Sequence, residues 1–165
     1  MAGKALIVVD LQRGFVNRNT RRIVAPIQRF QQQFEHVIAT RYFRRPGSPM
    51  VDLLGIEGYE KGSPEAELAF EPREGTVVID KTTYSCVSDE IVPHLRKWSV
   101  DEAYVCGVDT DQCVLMVAAD LLQNDIVAIV CENLTASAAG PEYHAAGLFL
   151  LRRLIGREQV RRVDS

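Results

Sequence analysis

The chain has 165 residues, 47% hydrophobic and 25% charged, which suits one globular domain over residues 1–165 with a full core. Its formal charge of −3 and isoelectric point near 5.6 lack the basic balance that nucleic acid or an anionic membrane calls for, so a small-molecule partner is expected. No apolar run approaches a membrane span, and Ala5 to Val9 is too short for a secretion signal, so a cytoplasmic protein is the expectation. Cys86, Cys106, Cys113 and Cys131 lack Cys-x-x-Cys spacing and read as reduced thiols, not as a disulfide or zinc set.

Leu6 to Val9 is a continuous apolar run ending in Asp10, the pattern of a buried parallel strand with a polar residue at its C-terminal end. Leu11 to Asn17 follows as a loop. Pro26 suits the first turn of a helix whose Ile27, Phe30 and Phe34 form one buried face beneath a run of solvated glutamines. His36 to Thr40 reads as a second strand, and Arg41 to Pro49 as a loop carrying aromatic and basic side chains. Ser63-Pro64-Glu65 has the grammar of a short helix start, with Ser63 as its cap. Gly75 to Asp80 is a third strand with Lys81 at its end.

Ser88-Asp89-Glu90 opens another helix, with Ile91, Leu95 and Trp98 on one side and Pro93 disturbing its first turns. Ala103 to Val108 is a buried strand that breaks at Asp109-Thr110-Asp111 into a helix reaching Gln123. That helix is apolar nearly all round, and a subunit interface would supply its second cover; a homo-oligomer, dimer or tetramer, is expected. Asp125 to Cys131 gives a fifth strand, Glu142 to Ile155 a helix, and Gln159 to Val163 a short last strand. The alternation implies a three-layer α/β/α sandwich around a six-stranded, parallel, Rossmann-like sheet of order 3-2-1-4-5-6. Asp10, Thr40-Arg41, Lys81 and Asp109 to Cys113 then share the edge where such sheets bind ligands.

Cys113 begins a helix, where unpaired N–H groups and the helix dipole favour a thiolate and can hold an oxyanion. The competing reading is a small core hydrophobe. His36, His94 and His144 are badly placed to act as its base. Asp10, desolvated at a strand end, is the alternative base, unless it only accepts turn hydrogen bonds. Lys81 pairs with Asp10 and supports a thiolate, or is an exposed strand-end lysine; Asp111 caps the helix.

Leu6-Ile7-Val8-Val9-Asp10-Leu11-Gln12-Arg13-Gly14-Phe15, then Val78-Ile79-Asp80-Lys81-Thr82-Thr83-Tyr84-Ser85, then Gly107-Val108-Asp109-Thr110-Asp111-Gln112-Cys113-Val114, resemble the three signature segments of the isochorismatase-like cysteine hydrolases. That family includes nicotinamidases and N-carbamoylsarcosine amidases. The resemblance implies a catalytic triad of Asp10, Lys81 and Cys113 and a cis peptide between Val108 and Asp109. It also implies an oxyanion hole from the N–H groups of Asp109 and Cys113.

Two departures carry meaning. Metal-binding nicotinamidases have Asp-x-His after the second strand, where this chain has Tyr42-Phe43-Arg44; no metal and no cofactor are expected, and nicotinamide is less favoured as substrate. Asp109 stands where the family often has a small or apolar residue. The expectation is therefore cysteine-dependent hydrolysis of a small amide or carbamoyl-type C–N bond through a thioester. Phe15, Tyr42, Phe43 and Tyr84 are the candidate pocket lining, while Arg41, Arg44 and Arg45 either select a carboxylate or form a solvated loop face. The alternatives are a binding or assembly protein that kept the hydrolase fold, and ether hydrolysis of the isochorismatase type. A dinucleotide-dependent oxidoreductase is disfavoured, because Asp10-Leu11-Gln12-Arg13-Gly14 stands where Gly-x-Gly-x-x-Gly would be.

Overall fold

The structure, a computed structural model, describes residues 3–165. Six strands form one sheet: β1 (Gly3–Val9), β2 (His36–Tyr42), β3 (Val77–Lys81), β4 (Val100–Val108), β5 (Val127–Ala136) and β6 (Val160–Arg161). Their order is β3-β2-β1-β4-β5-β6 and every pairing is parallel, as the alternation of strands and helices predicts. Five helices accompany the sheet: α1 (Val24–Phe30), α2 (Pro49–Leu54), α3 (Val92–Lys97), α4 (Cys113–Gln123) and α5 (Pro141–Leu154). Among the described residues no helix is long and apolar enough to cross a membrane.

β1 has no polar face because it is covered on both sides. Successive side chains of a strand point to opposite faces. Ala5, Ile7 and Val9 join a core with α3, α4 and α5, while Leu6 and Val8 join a second core with Ile27, Phe30 and Phe34. At the end of β1 the neighbouring strand comes unusually close. Gly107 lies opposite Val9 with φ +109°, and a Cβ there would meet the Val9 carbonyl oxygen at 2.1 Å, so only glycine fits.

Several expectations need correction. α2 begins at Pro49, the last residue of the segment read as a loop, and runs through a stretch for which no element was expected; Ser48 caps it, accepting from Val51 N at 3.4 Å. Ser63-Pro64-Glu65 opens only a three-residue 3₁₀ turn, Pro64–Ala66, and the Ser63 hydroxyl caps nothing. Gln31 is buried, not solvated: its side chain bonds the backbone of Gln28, Glu71 and Arg73. β5 runs five residues beyond Cys131, through an irregularity between its pairings to Val105 and Gly107. The helix expected from Ser88 starts as a wide π turn, Val87–Ile91, before Pro93 enters α3. α4 buries Val114, Val117, Ala118 and Leu121 and leaves Met116 and Leu122 exposed, so it is covered on one side only.

Candidate active site

Four strand ends meet at one edge of the sheet. Asp10 leaves β1 in the left-handed region, φ +46°, a conformation that aspartate tolerates better than most residues. Its side chain is 1% exposed. Thr40, near the end of β2, donates its hydroxyl to Asp10 Oδ1 at 2.7 Å and accepts the Asp10 backbone N–H at 3.2 Å. Lys81, the last residue of β3, donates to Asp10 Oδ2 at 2.6 Å and to the Thr83 carbonyl at 2.8 Å. The same ammonium lies 3.6 Å from Cys113 Sγ, at the first position of α4. Lys81 is thus a buried ion-pair partner and not a solvated strand end.

The electrostatics follow from burial. Desolvation would lower the pKa of Lys81, but the carboxylate of Asp10 and the adjacent thiol outweigh it and hold it raised, so the ammonium stays charged. For Cys113 the balance runs the other way. Burial and the negative charge of Asp10 push its thiol well above the ordinary value, against the pull of Lys81. A helix N-terminus alone favours a thiolate; in this site burial and the Asp10 carboxylate work against it. Burial also pushes Cys86 up to about 11 and Cys131 up to about 12, and Cys106 is fully buried, so none of these is an activated nucleophile.

The peptide between Val108 and Asp109 is cis. The N–H groups of Gln112 and Val114 both bond the Asp109 carbonyl at 3.1 Å, and Thr110 N bonds the Ala136 carbonyl at 3.1 Å. Among the described residues no acceptor is found for the N–H groups of Asp109 and Cys113, the pair implied as an oxyanion hole. The Asp109 carboxylate accepts Ala138 N at 2.6 Å, yet desolvation still raises its pKa to about 6.

Asp10, Val108, Asp109, Gln112 and Cys113 floor a cavity of about 380 Å³, and Lys81 lies beneath them. Phe15, Tyr42 and Tyr84 line it, as the sequence suggests. Phe43 does not: it is buried outside the cavity, with Arg41 and Lys61 over its ring at 5.3 and 5.4 Å. Arg41 pairs with Asp80 and Arg44 with Glu60, so neither arginine faces the cavity. Tyr42 contributes a buried hydroxyl with no hydrogen-bond partner among the described residues.

Sequence reasoning missed the far wall, which Met50, Leu54, Ile56, Glu57 and Tyr59 build from α2 and the loop after it. Tyr59 stacks on Phe15 with ring centres 4.7 Å apart and meets Tyr42 edge-on at 5.9 Å. It also missed Gln12, whose buried amide donates to the carbonyls of Tyr42 and Ala66 at 2.9 Å each and accepts Tyr42 N at 2.7 Å. The local signal for α2 was present in Ser48-Pro49 and Gly55; nothing local marks Gln12.

The donor set after β2 does not suit a metal. Tyr42, Phe43 and Arg44 offer no pair of ligands, and among the described residues no group of three or more histidines, cysteines or carboxylates is gathered to hold an ion.

Comparison with known proteins agrees with this fold. A nicotinamidase/pyrazinamidase of Mycobacterium tuberculosis is 27% identical, over 87% of this chain and 91% of that protein. A solved isochorismatase-like hydrolase from Alkaliphilus metalliredigens superposes with a TM-score of 0.82 at 22% identity, covering 93% of this chain and 92% of the other. A solved cysteine hydrolase from Pseudomonas syringae pv. phaseolicola superposes with a TM-score of 0.80 at 26% identity, covering 93% and 86%. The model of the isochorismatase domain family matches residues 4–159, so with its sheet order, its strand-end cluster and this match the chain belongs to the isochorismatase domain family.

Proposed function

We propose that this protein is a cysteine hydrolase that cleaves a C–N bond of a small amide or carbamoyl compound through a thioester. The observation that carries the reading is the position of Lys81 Nζ, 2.6 Å from Asp10 Oδ2 and 3.6 Å from Cys113 Sγ, two residues that line one cavity. A buried ammonium bridging a carboxylate and a thiol serves no packing need that an apolar side chain would not meet more cheaply.

In the resting site the thiol is protonated and the Asp10–Lys81 pair is ionised. When a carbonyl carbon reaches Sγ, Asp10 takes the thiol proton as the C–S bond forms, and Lys81 balances the charge that moves between them. The new oxyanion accepts from the Asp109 and Cys113 N–H groups. Asp10 then gives its proton to the leaving nitrogen, the C–N bond breaks, and an amine or ammonia departs from the thioester. Water, deprotonated by Asp10, hydrolyses the thioester and restores the thiol. Each turnover consumes one water and needs no redox partner. The Tyr42 hydroxyl and the Phe15–Tyr59 stack would orient a planar amide.

The test is ammonia release from a panel of small amides, ureido acids and carbamoyl compounds by the wild type and by Cys113→Ala. Turnover that vanishes in the variant is expected. Turnover that survives the substitution refutes the mechanism, and silence across the panel favours the binding-protein alternative.

A further inference from the structure

We propose that a second cavity, at the N-terminus of α5, binds a phosphate group, either free or carried on a small phosphorylated metabolite. The cavity has a volume of about 230 Å³, several times the roughly 30 Å³ that one water occupies in the liquid. Arg18, Asn19, Arg22, Ser137, Gly140 and His144 line it, and no carboxylate does.

Several independent donors converge there. α5 is 14 residues long, and its first intrahelical bond runs from His144 N to the Gly140 carbonyl at 3.1 Å. Gly140 and Pro141 line the cavity, so the positive end of the helix dipole lies beside it, where among the described residues the N–H groups of Glu142 and Tyr143 have no acceptor. Ser137 is 1% exposed, lines the cavity, and its Oγ has no hydrogen-bond partner among the described residues. A buried hydroxyl left in that state is what a ligand oxygen would complete. Arg22 is held in place by donating Nη2 to the Thr135 carbonyl at 3.2 Å. The ring of His144 is fixed through Nδ1, 2.8 Å from Thr110 Oγ1, which leaves Nε2 for a ligand.

The count of donors selects the ligand class. A hydroxyl, two guanidiniums with several N–H groups each and an imidazole carry more donors than the two oxygens of a carboxylate can accept, and they suit the three or four oxygens of a phosphate. The acidic groups that act on the ring, Glu132 and Asp111, lie outside the cavity lining, and Glu142 in the first turn of α5 is not part of that lining either, whereas Arg22, which opposes them, is. The site lies behind the candidate active site: Ala138 N, one residue after Ser137, donates to Asp109 Oδ1 at 2.6 Å, and Thr110 follows Asp109.

The test is a titration of the intact chain with inorganic phosphate at fixed pH, with sodium chloride holding the ionic strength constant, read on the imidazole signals of the three histidines. The expected result is a saturable shift confined to His144, with the half-saturation concentration raised about tenfold in Arg22→Gln and raised also in Ser137→Ala. Arg29→Gln, an exposed arginine away from the cavity, should leave it unchanged. Glycerol phosphate in place of inorganic phosphate separates the sources: the same saturable shift shows that an ester is accepted, and its absence assigns the site to the free ion. If Arg22→Gln does not fold, Arg18→Gln replaces it, since Arg18 makes no ion pair among the described residues. A shift that never saturates, that touches all three histidines alike, or that is unchanged in the cavity variants overturns the proposal.

Discussion

The Asp10–Lys81 pair yields a quantitative prediction, because it is both short and dry. At 2.6 Å, with an effective dielectric constant of about 20, two unit charges attract by about 6 kcal/mol, and most of this offsets the cost of taking both from water. Removing one partner leaves the other buried without its counter-charge. Lys81→Met and Asp10→Asn should therefore each lose about 3–5 kcal/mol of unfolding free energy. The double variant behaves differently. The introduced methionine and asparagine leave no charge to desolvate and the asparagine's Oδ1 can keep the Thr40 hydroxyl; its amide N–H lacks an acceptor, a loss of about 1–3 kcal/mol, while the Thr83 carbonyl that Lys81 releases belongs to an exposed residue and can turn to water. Urea denaturation of the four proteins at pH 7 measures the cycle. Additive losses, roughly 6–10 kcal/mol in the double variant, would refute the claim that the two charges compensate one another.

Two further predictions rest on single positions. Gly107→Ala puts a Cβ 2.1 Å from the Val9 carbonyl oxygen at φ +109° and should cost more than about 4 kcal/mol or abolish soluble expression. Gly47→Ala, with φ +73° but no atom within 4 Å of its Cβ, should lose only about 1–2 kcal/mol by the same assay; equal losses would show that the contact with β1 is not the cause. Asp109 has a pKa raised from 3.8 to about 6, so the folded chain holds its proton more tightly than the unfolded chain does. Its contribution is fully present below about pH 4 and is lost as the pH rises through 6, on the order of 3 kcal/mol in all. Asp109→Asn keeps an acceptor for Ala138 N, and should flatten that decline when denaturation midpoints are compared between pH 4 and 7.

The parts of this molecule that the sequence discloses are those whose signal is local. Leu6 to Val9, Val105 to Val108 and Ile129 to Cys131 are apolar without alternation because both faces of the sheet are covered, and that pattern alone implies parallel strands. The strand ends follow from it, so Asp10, Lys81 and Cys113 could be placed at one edge before any distance was known. What escaped depends on partners far away in the chain. Ser48-Pro49 and Ser63-Pro64 have the same capping grammar, yet only the first leads a helix, since Val51 finds a buried place and the second segment must turn back toward Gln12. Phe43 and Tyr59 look interchangeable as loop aromatics. Tyr59 reaches the cavity by stacking on Phe15, and Phe43 does not, and only the fold decides which.

Gln12 fastens two parts of the protein that have different work to do. The candidate reactive groups are mounted on strand ends continuous with the core, whereas the opposite wall of the cavity belongs to an excursion between β2 and β3. The buried amide of Gln12 joins them, holding Tyr42 at the start of the excursion and Ala66 on its return. Between those two fixed points the chain can be lengthened, shortened or rewritten without displacing the reacting atoms. A wall and a floor built on separate stretches of chain can therefore change independently of one another, and the Gln12 amide, with the backbone bonds of Arg13 to Glu67 and Ala69 to Leu11 beside it, marks where one ends and the other begins.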